Sequence, residues 1–263
     1  MFLIRSHAPS KKNIALAGAP RIPDAGVYRE RGRIHSYFME QPQYIRLPNA
    51  LHAVIFDMDG TLHDTEKFYD IAQRRAADDL GYTISDAVWH SLIGVPGIES
   101  DAMLRAHLGA DFPFEAFDQN YRAHRDALLA EGVPLKPGAV ELLDDLNARG
   151  LKIALATSAS RQTAETHLTR SGLRKRFEII VTRNDVDRGK PHPDPFLLAA
   201  RHLGLPPANC MVVEDAFTGI RGAYAAGTMP ILVPDILTPT PEIRALCVAV
   251  LADLHGVRAL IQG

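Results

Sequence analysis

Ala53-Val54-Ile55-Phe56-Asp57-Met58-Asp59-Gly60-Thr61 joins four apolar residues to two aspartates, a glycine and a threonine. An apolar run of that length, bounded by a turn, is short for a helix. It reads as a strand buried on both faces, as in a parallel sheet with helices on either side. Asp-Gly after it is a turn signal that many proteins carry for structure alone. Residues two apart in extended chain point the same way, so Asp57 and Asp59 face one side together.

Further short apolar runs at 153–156, 179–181, 211–213 and 231–233, with a weaker one at 248–251, repeat the pattern of the first. Helical periodicity fills the intervals. The segment 139–149 begins after Pro137-Gly138 and stops at Gly150, 164–171 stops before Gly172, and 196–203 stops before Gly204. The segment 219–226 is rich in small residues, which predicts a helix lying close against the sheet. Strands alternating with helices and joined by short connections predict an α/β fold with a parallel sheet. Residues 66–132 break the alternation with helical patterns at 68–80, 86–93, 100–108 and 114–130, a loop at Gly94-Val95-Pro96-Gly97, and no convincing strand. They predict an inserted helical domain, dividing a core made of 50–65 and 133–263.

Ligands of open parallel sheets bind beyond the carboxyl ends of the strands. There the first run delivers Asp57 and Asp59, the second Thr157-Ser158, and the fourth Glu214-Asp215, while Lys190 precedes the fourth by one helix. Each has a blander reading. Thr157 and Ser158 suit a helix N-cap, Lys190 between Gly189 and Pro191 suits a solvated turn, and Glu214-Asp215 suit the acidic start of a helix. Together they bring four carboxylates to one edge, whose burial without compensation costs several kcal/mol per ion. A cation has to be present, and an all-oxygen donor set suits Mg²⁺. One carboxylate can then attack phosphorus while its neighbour moves the proton of the leaving oxygen. Lys190 and Thr157 would hold the phosphoryl oxygens. The eleven histidines, among them His63, His192 and His202, show no metal-ligand spacing and read as surface or packing residues.

The ordered set Asp57-Met58-Asp59-Gly60-Thr61, Thr157, Lys190 and Glu214-Asp215 resembles the four motifs of the haloacid dehalogenase superfamily. The helical insert directly after the first motif is similar to the cap of its β-phosphoglucomutase-like and phosphoglycolate-phosphatase-like branch. The resemblance covers Leu51 to the C-terminal region and implies a Rossmann-like parallel core with a helical cap. It implies that Asp57 is a nucleophile forming an aspartyl phosphate and Asp59 the acid/base. It further implies that Mg²⁺ is held by Asp57, the Asp59 backbone carbonyl and Asp215, with Glu214 a further ligand or a support. Thr157, Ser158 and Lys190 become phosphate-binding residues. The expected activity is hydrolysis of a small phosphate monoester, such as a phosphosugar or phosphoglycolate. The alternative is mutase-type transfer to a sugar hydroxyl. Against it, the mutases resemble Gly-Val-Ser-Arg where this chain has Gly94-Val95-Pro96-Gly97, and the histidine they carry soon after the first motif is missing near Lys67-Phe68-Tyr69. Dehalogenases lack the second aspartate, and a silent binding protein would have lost a motif. Of the cap arginines Arg74, Arg75, Arg105, Arg122 and Arg125, most read as a solvated helix face.

Composition excludes other classes. With 46% apolar and 23% charged residues over 263, the chain can bury a full core unaided. A net charge of -2 offers no general attraction for nucleic acid or anionic membrane. Two cysteines and no long apolar stretch predict a reducing, cytoplasmic setting and no membrane span. A monomer or small homo-oligomer is expected. Residues 1–49, rich in Pro, Gly and Arg, read as an appendage: a disordered extension, a transit peptide, or an early start with Met39 as the true one.

Overall fold

The computed structural model describes residues 45–92, 97–109 and 111–262. The first strand, β1 (Ala53–Phe56), is buried along its whole length. It is followed by β2 (Lys152–Ala156), β3 (Ile179–Val181), β4 (Cys210–Glu214), β5 (Met229–Leu232) and β6 (Ala249–Val250). All pairings are parallel and the order across the sheet is β3-β2-β1-β4-β5-β6. The chain therefore leaves β1 toward β2 on one side and later returns to β4 on the other. That reversal opens a crevice at the carboxyl end of β1, where a doubly wound sheet binds its ligand.

The strands lie on the apolar runs, with one informative difference. β5 starts at Met229, two residues ahead of the expected 231–233, and contains Pro230. Proline donates nothing to a ladder and argues against an interior strand from sequence. Here its carbonyl still accepts from Val248 N at 2.8 Å, so the position is kept by the acceptor alone.

Successive residues of β1 go to opposite faces. Val54 and Phe56 join Leu155, Met211, Val213 and Ile231 in one buried cluster, while Ala53 and Ile55 join Ala154, Ala156, Cys210 and Val212 in the other. Burying each of the large side chains contributes about 1.5–3 kcal/mol, so one slip of register would forfeit both faces at once.

Between β1 and β2 run α1 (Glu66–Asp78), α2 (Asp86–Leu92), α3 (Gly97–Leu108) and α4 (Phe114–Leu128). They enclose their own apolar cluster around Ala77, Trp89, Leu104, Phe112 and Phe117. Aromatic contacts such as Tyr82 with Phe112, centroids 5.0 Å apart, knit it together. The expected loop at 94–97 falls mostly on residues 93–96, outside the described residues; Gly97 itself opens α3, three residues before the predicted start.

The first face of the sheet is covered by α5 (Ala139–Ala148), α6 (Arg161–Arg170) and α10 (Leu254–Gln262), the second by α7 (Asp194–Leu203) and α8 (Phe217–Ala225). The short α9 (Pro241–Arg244) closes a small cluster beside β6. The small residues of α8 serve close approach, and its partners are particular: a β-carbon on Gly222 would lie 2.9 Å from the His192 carbonyl oxygen. Ile45 and Leu47 pack against the first cluster, so the last residues of the expected 1–49 extension touch the core; residues 1–44 lie outside the described residues. Among the described residues no helix is long and apolar enough to cross a membrane.

Candidate active site

Asp57 continues β1, donating its N–H to the Val213 carbonyl at 3.0 Å, and its side chain is buried. The chain then reverses in a compact turn in which Leu62 N and His63 N both donate to the Met58 carbonyl at 2.9 Å. Gly60 makes the turn at φ 81°, a left-handed conformation that costs glycine nothing. A second reason excludes a side chain there: a β-carbon would fall 2.3 Å from Asp215 Oδ2. Thr61, fully buried, donates its hydroxyl to Asp215 Oδ1 at 2.8 Å. The first motif thereby clamps the carboxylate supplied by the fourth.

Asp59 Oδ1 accepts from the Thr65 hydroxyl at 2.9 Å and from the Tyr69 hydroxyl at 2.5 Å. Thr65 is the residue just before α1 and Tyr69 lies in its first turn, so the junction of core and helical insert holds a carboxylate of the first motif. Lys190, 9% exposed, donates to Asp57 Oδ1 and, at 2.6 Å, to Glu214 Oε1. The other oxygen of Glu214, Oε2, accepts from the N–H groups of Asp215 at 3.0 Å and Ala216 at 2.9 Å. A β-carbon on Gly219 would lie 1.8 Å from Glu214 Oε1, so α8 has glycine where it crosses this carboxylate. Lys190 is no solvated turn lysine, and both oxygens of Glu214 are engaged.

Thr157 is buried at the end of β2, and its hydroxyl oxygen accepts from Ala159 N at 3.0 Å. A hydroxyl that accepts locally keeps its hydrogen to donate elsewhere. The N-cap of α6 is Ser160, which accepts from Thr163 N at 3.2 Å, so the alternative that gave that role to Thr157 and Ser158 does not hold. Ser158 is exposed. Asp57, Asp59, Thr157, Ser158, Lys190, Glu214 and Asp215 all line one cavity of about 930 Å³.

Burial raises Asp57 well above the usual carboxylate range, and Glu214 and Asp59 add to the rise while Lys190 opposes it. Asp215 is raised likewise, by burial and then by Glu214 and Asp57. For Lys190 burial works downward, and the attraction of Asp57 and Glu214 outweighs it, so its ammonium is stabilised. Asp59 is lowered: burial pushes it up, and the His167 and His63 rings and the Tyr69 hydroxyl prevail. One lysine against three converging carboxylates leaves negative charge uncompensated, and ligand oxygens of Asp57, Glu214 and Asp215 lie within 4.8 Å of one another. These residues fit a divalent cation of the oxygen-loving kind.

Sequence reading missed several neighbours. His63 is fully buried and His167 is 1% exposed; both flank Asp59, so His63 is no surface residue. His192 is exposed on the cavity wall, and His202 is on the surface as expected. Glu66, Tyr69 and Tyr121 from the insert also line the cavity, as do Arg122 and Arg125, whereas Arg74 is spent on Asp70 and Asp86. The one available signal was the four-residue spacing of Thr65 and Tyr69, which puts both on one helix face.

A family model described as haloacid dehalogenase-like hydrolase matches residues 51–227. A phosphorylated carbohydrates phosphatase from Thermotoga maritima is 34% identical over 177 residues, covering 67% of this chain and 82% of that protein. Hexitol phosphatase A from Escherichia coli is 35% identical over 174 residues, covering 66% of this chain and 78% of that protein. Among solved structures, a putative β-phosphoglucomutase from Thermotoga maritima superposes with a TM-score of 0.69 at 30% identity, covering 81% of this chain and 99% of the other. The chain belongs to the haloacid dehalogenase-like hydrolase family.

Proposed function

We propose that this hydrolase is a Mg²⁺-dependent phosphatase that moves the phosphoryl group of a small phosphate monoester first to Asp57 and then to water. The observation that carries the reading is the convergence of Asp57, Asp59, Thr157, Lys190 and Asp215 on one cavity at the reversal point of the sheet. Asp57 attacks phosphorus with a carboxylate oxygen, forming an aspartyl phosphate as the ester oxygen departs. Asp59, ionised in the free protein, takes up a proton as the substrate binds, gives it to that oxygen and later takes one from the attacking water. Lys190 and the Thr157 hydroxyl, with Ser158 at the mouth, bind the phosphoryl oxygens as charge shifts among them. Mg²⁺, held by Asp57, the Asp59 backbone carbonyl and Asp215, supplies charge neutralisation at those oxygens when bound.

Glu214 is assigned here as the residue that positions Lys190, because its two oxygens already have three donors. Residues 66–132 act as a cap over a core made of 50–65 and 133–263, a division supported by the cavity wall they provide through Tyr121 and Arg125. A substrate of metabolite size suits that cavity, with neither nucleic acid nor membrane as partner and a monomer or small homo-oligomer as the working form in the cytoplasm.

Transfer to a sugar hydroxyl is the second reading, favoured by the similar structure named as a putative β-phosphoglucomutase. The test is a screen of metabolite phosphate esters for phosphate release with Mg²⁺, beside a coupled assay converting β-glucose 1-phosphate to glucose 6-phosphate. Phosphate release from sugar or polyol phosphates is the expected result. Isomerisation without release would replace hydrolysis with transfer.

A further inference from the structure

The side chain of Asp59 also borders two buried histidines that the proposed chemistry leaves unused. The rings of His63 and His167 meet edge to face, with centroids 6.3 Å apart and planes at 64°. The Ser171 hydroxyl donates to the Leu168 carbonyl at 3.2 Å, and His63 Nε2 lies 3.0 Å from the same hydroxyl oxygen. A hydroxyl has one hydrogen, so Ser171 must accept from an Nε2–H of His63, and a neutral imidazole in that tautomer carries its lone pair on Nδ1.

Among the described residues that buried Nδ1 has no hydrogen-bond partner, and neither has Nδ1 of His167. The latter stands 3.7 Å from Asp59 Oδ1, beyond hydrogen-bond reach. One ligand atom from each of Asp59, His63 and His167 falls within 4.8 Å of the others. A buried acceptor without a donor costs about 1–3 kcal/mol, so this grouping calls for a shared electrophile. Two imidazole nitrogens and a carboxylate are a poor set for Mg²⁺ and a good one for Zn²⁺ and its neighbours. With ligands about 2.0–2.1 Å from the ion, donor atoms stand at most about 4 Å apart, which small ring rotations reach from the present spacing. Thr65 and Tyr69, already bonded to Asp59 Oδ1, would orient that ligand from outside.

We propose that Asp59, His63 and His167 form a second cation site, selective for a zinc-type transition metal, and that filling it inhibits the enzyme by capturing the Asp59 side chain. The site is distinct from the oxygen cluster of Asp57, Glu214 and Asp215. Binding stands on the geometry alone; the inhibition rests on the acid/base role proposed for Asp59.

The experiment uses the full chain in excess Mg²⁺, with Zn²⁺ added. Retained zinc is measured after gel filtration, imidazole nitrogens are followed by ¹⁵N NMR, and phosphate release is assayed in parallel. The expected result is one zinc retained per chain, shifted Nδ1 signals for two histidines, and phosphate release lowered roughly tenfold or more, restored by chelator and fresh Mg²⁺. His63→Gln and His167→Gln should each weaken zinc retention at least roughly tenfold. Unmoved Nδ1 signals would overturn the site, whether zinc is absent, leaving the rings to water, or inhibits from the carboxylate cluster. Undiminished retention in both variants would overturn it too. The NMR measurement on the unaltered chain decides even where a buried substitution prevents folding. Shifted rings with undiminished turnover would keep the site, remove the inhibition, and count against Asp59 as acid/base.

Discussion

Lys190 Nζ and Glu214 Oε1 are 2.6 Å apart, with side-chain exposures of only 5% and 1%. A pair so placed holds Lys190 over Asp57 and leaves Glu214 no spare oxygen. Removing one partner of a buried ion pair strands the other charge, which costs about 3–5 kcal/mol. Glu214→Ala should therefore lower the urea-unfolding free energy by that order. Glu214→Gln, which keeps the shape, should cost less stability, retain Mg²⁺ affinity within a few-fold, and lower turnover by about 10–100-fold. Calorimetric Mg²⁺ titration of Glu214→Gln checks the assignment: lost binding would make Glu214 the metal ligand that the sequence suggests.

Gly60 and Asp215 make a second test of how the motifs are fitted together. Alanine at Gly60 would suffer a left-handed backbone at φ 81° and a contact of 2.3 Å with Asp215 Oδ2. The turn has to shift or the carboxylate has to leave its bond with Thr61. Gly60→Ala is expected to lose about 1–3 kcal/mol of stability and to weaken Mg²⁺ binding by about tenfold or more. Thermal unfolding and metal titration on the same preparation measure both. Unchanged Mg²⁺ affinity would show that Asp215 is free to move without consequence.

The parallel sheet was legible because its strands are buried on both faces and so read as uninterrupted apolar runs, and because the residues that follow β1, β2 and β4 are polar. Lys190 was legible only as part of an ordered set, since Pro191 and Pro193 make its surroundings look like an exposed turn. Pro230 concealed the start of β5, whose ladder at that residue depends on a carbonyl that sequence patterns do not report. The histidines beside Asp59 were out of reach for a different reason. His63 and His167 stand 104 residues apart and meet only because α6 packs over the turn after β1; a pairing so distant leaves no spacing to detect.

Asp57→Asn is expected to abolish both turnover and covalent phosphate labelling, because an amide neither attacks phosphorus nor leaves a hydrolysable acyl phosphate. Rapid quench with a ³²P-labelled ester reads the intermediate directly, and normal labelling of the variant would reject Asp57 as nucleophile. Asp59→Asn should slow esters of poor leaving groups far more than activated aryl esters, since only the former need a proton on departure. Equal losses for the two would contradict the acid/base role. Tyr69→Phe removes the donor at 2.5 Å from Asp59 Oδ1. It should shift the pH profile for unactivated esters upward while leaving substrate binding nearly intact, because the hydroxyl favours the ionised carboxylate.

Glu66, at the start of α1 and on the cavity wall, has its titration pushed up to about 7 by burial and by the charges of Asp59 and Asp235. The folded form thus holds a proton that the unfolded chain, titrating near 4.5, releases earlier. Below pH 4.5 both states are protonated and Glu66 has no effect on stability. As pH rises from there to 7 the unfolded state alone gains the favourable hydration of a free carboxylate, so stability falls, and above 7 the penalty is complete. A shift of that size corresponds to about 3 kcal/mol at most. Glu66→Gln has no proton to lose, so metal-free variant and parent should diverge in urea-unfolding free energy between pH 5 and pH 8, the variant becoming the more stable at the alkaline end. Parallel pH dependences would place Glu66 in water rather than against Asp59. Mg²⁺ should narrow the difference, because a divalent cation held by the neighbouring carboxylates favours the ionised form of Glu66.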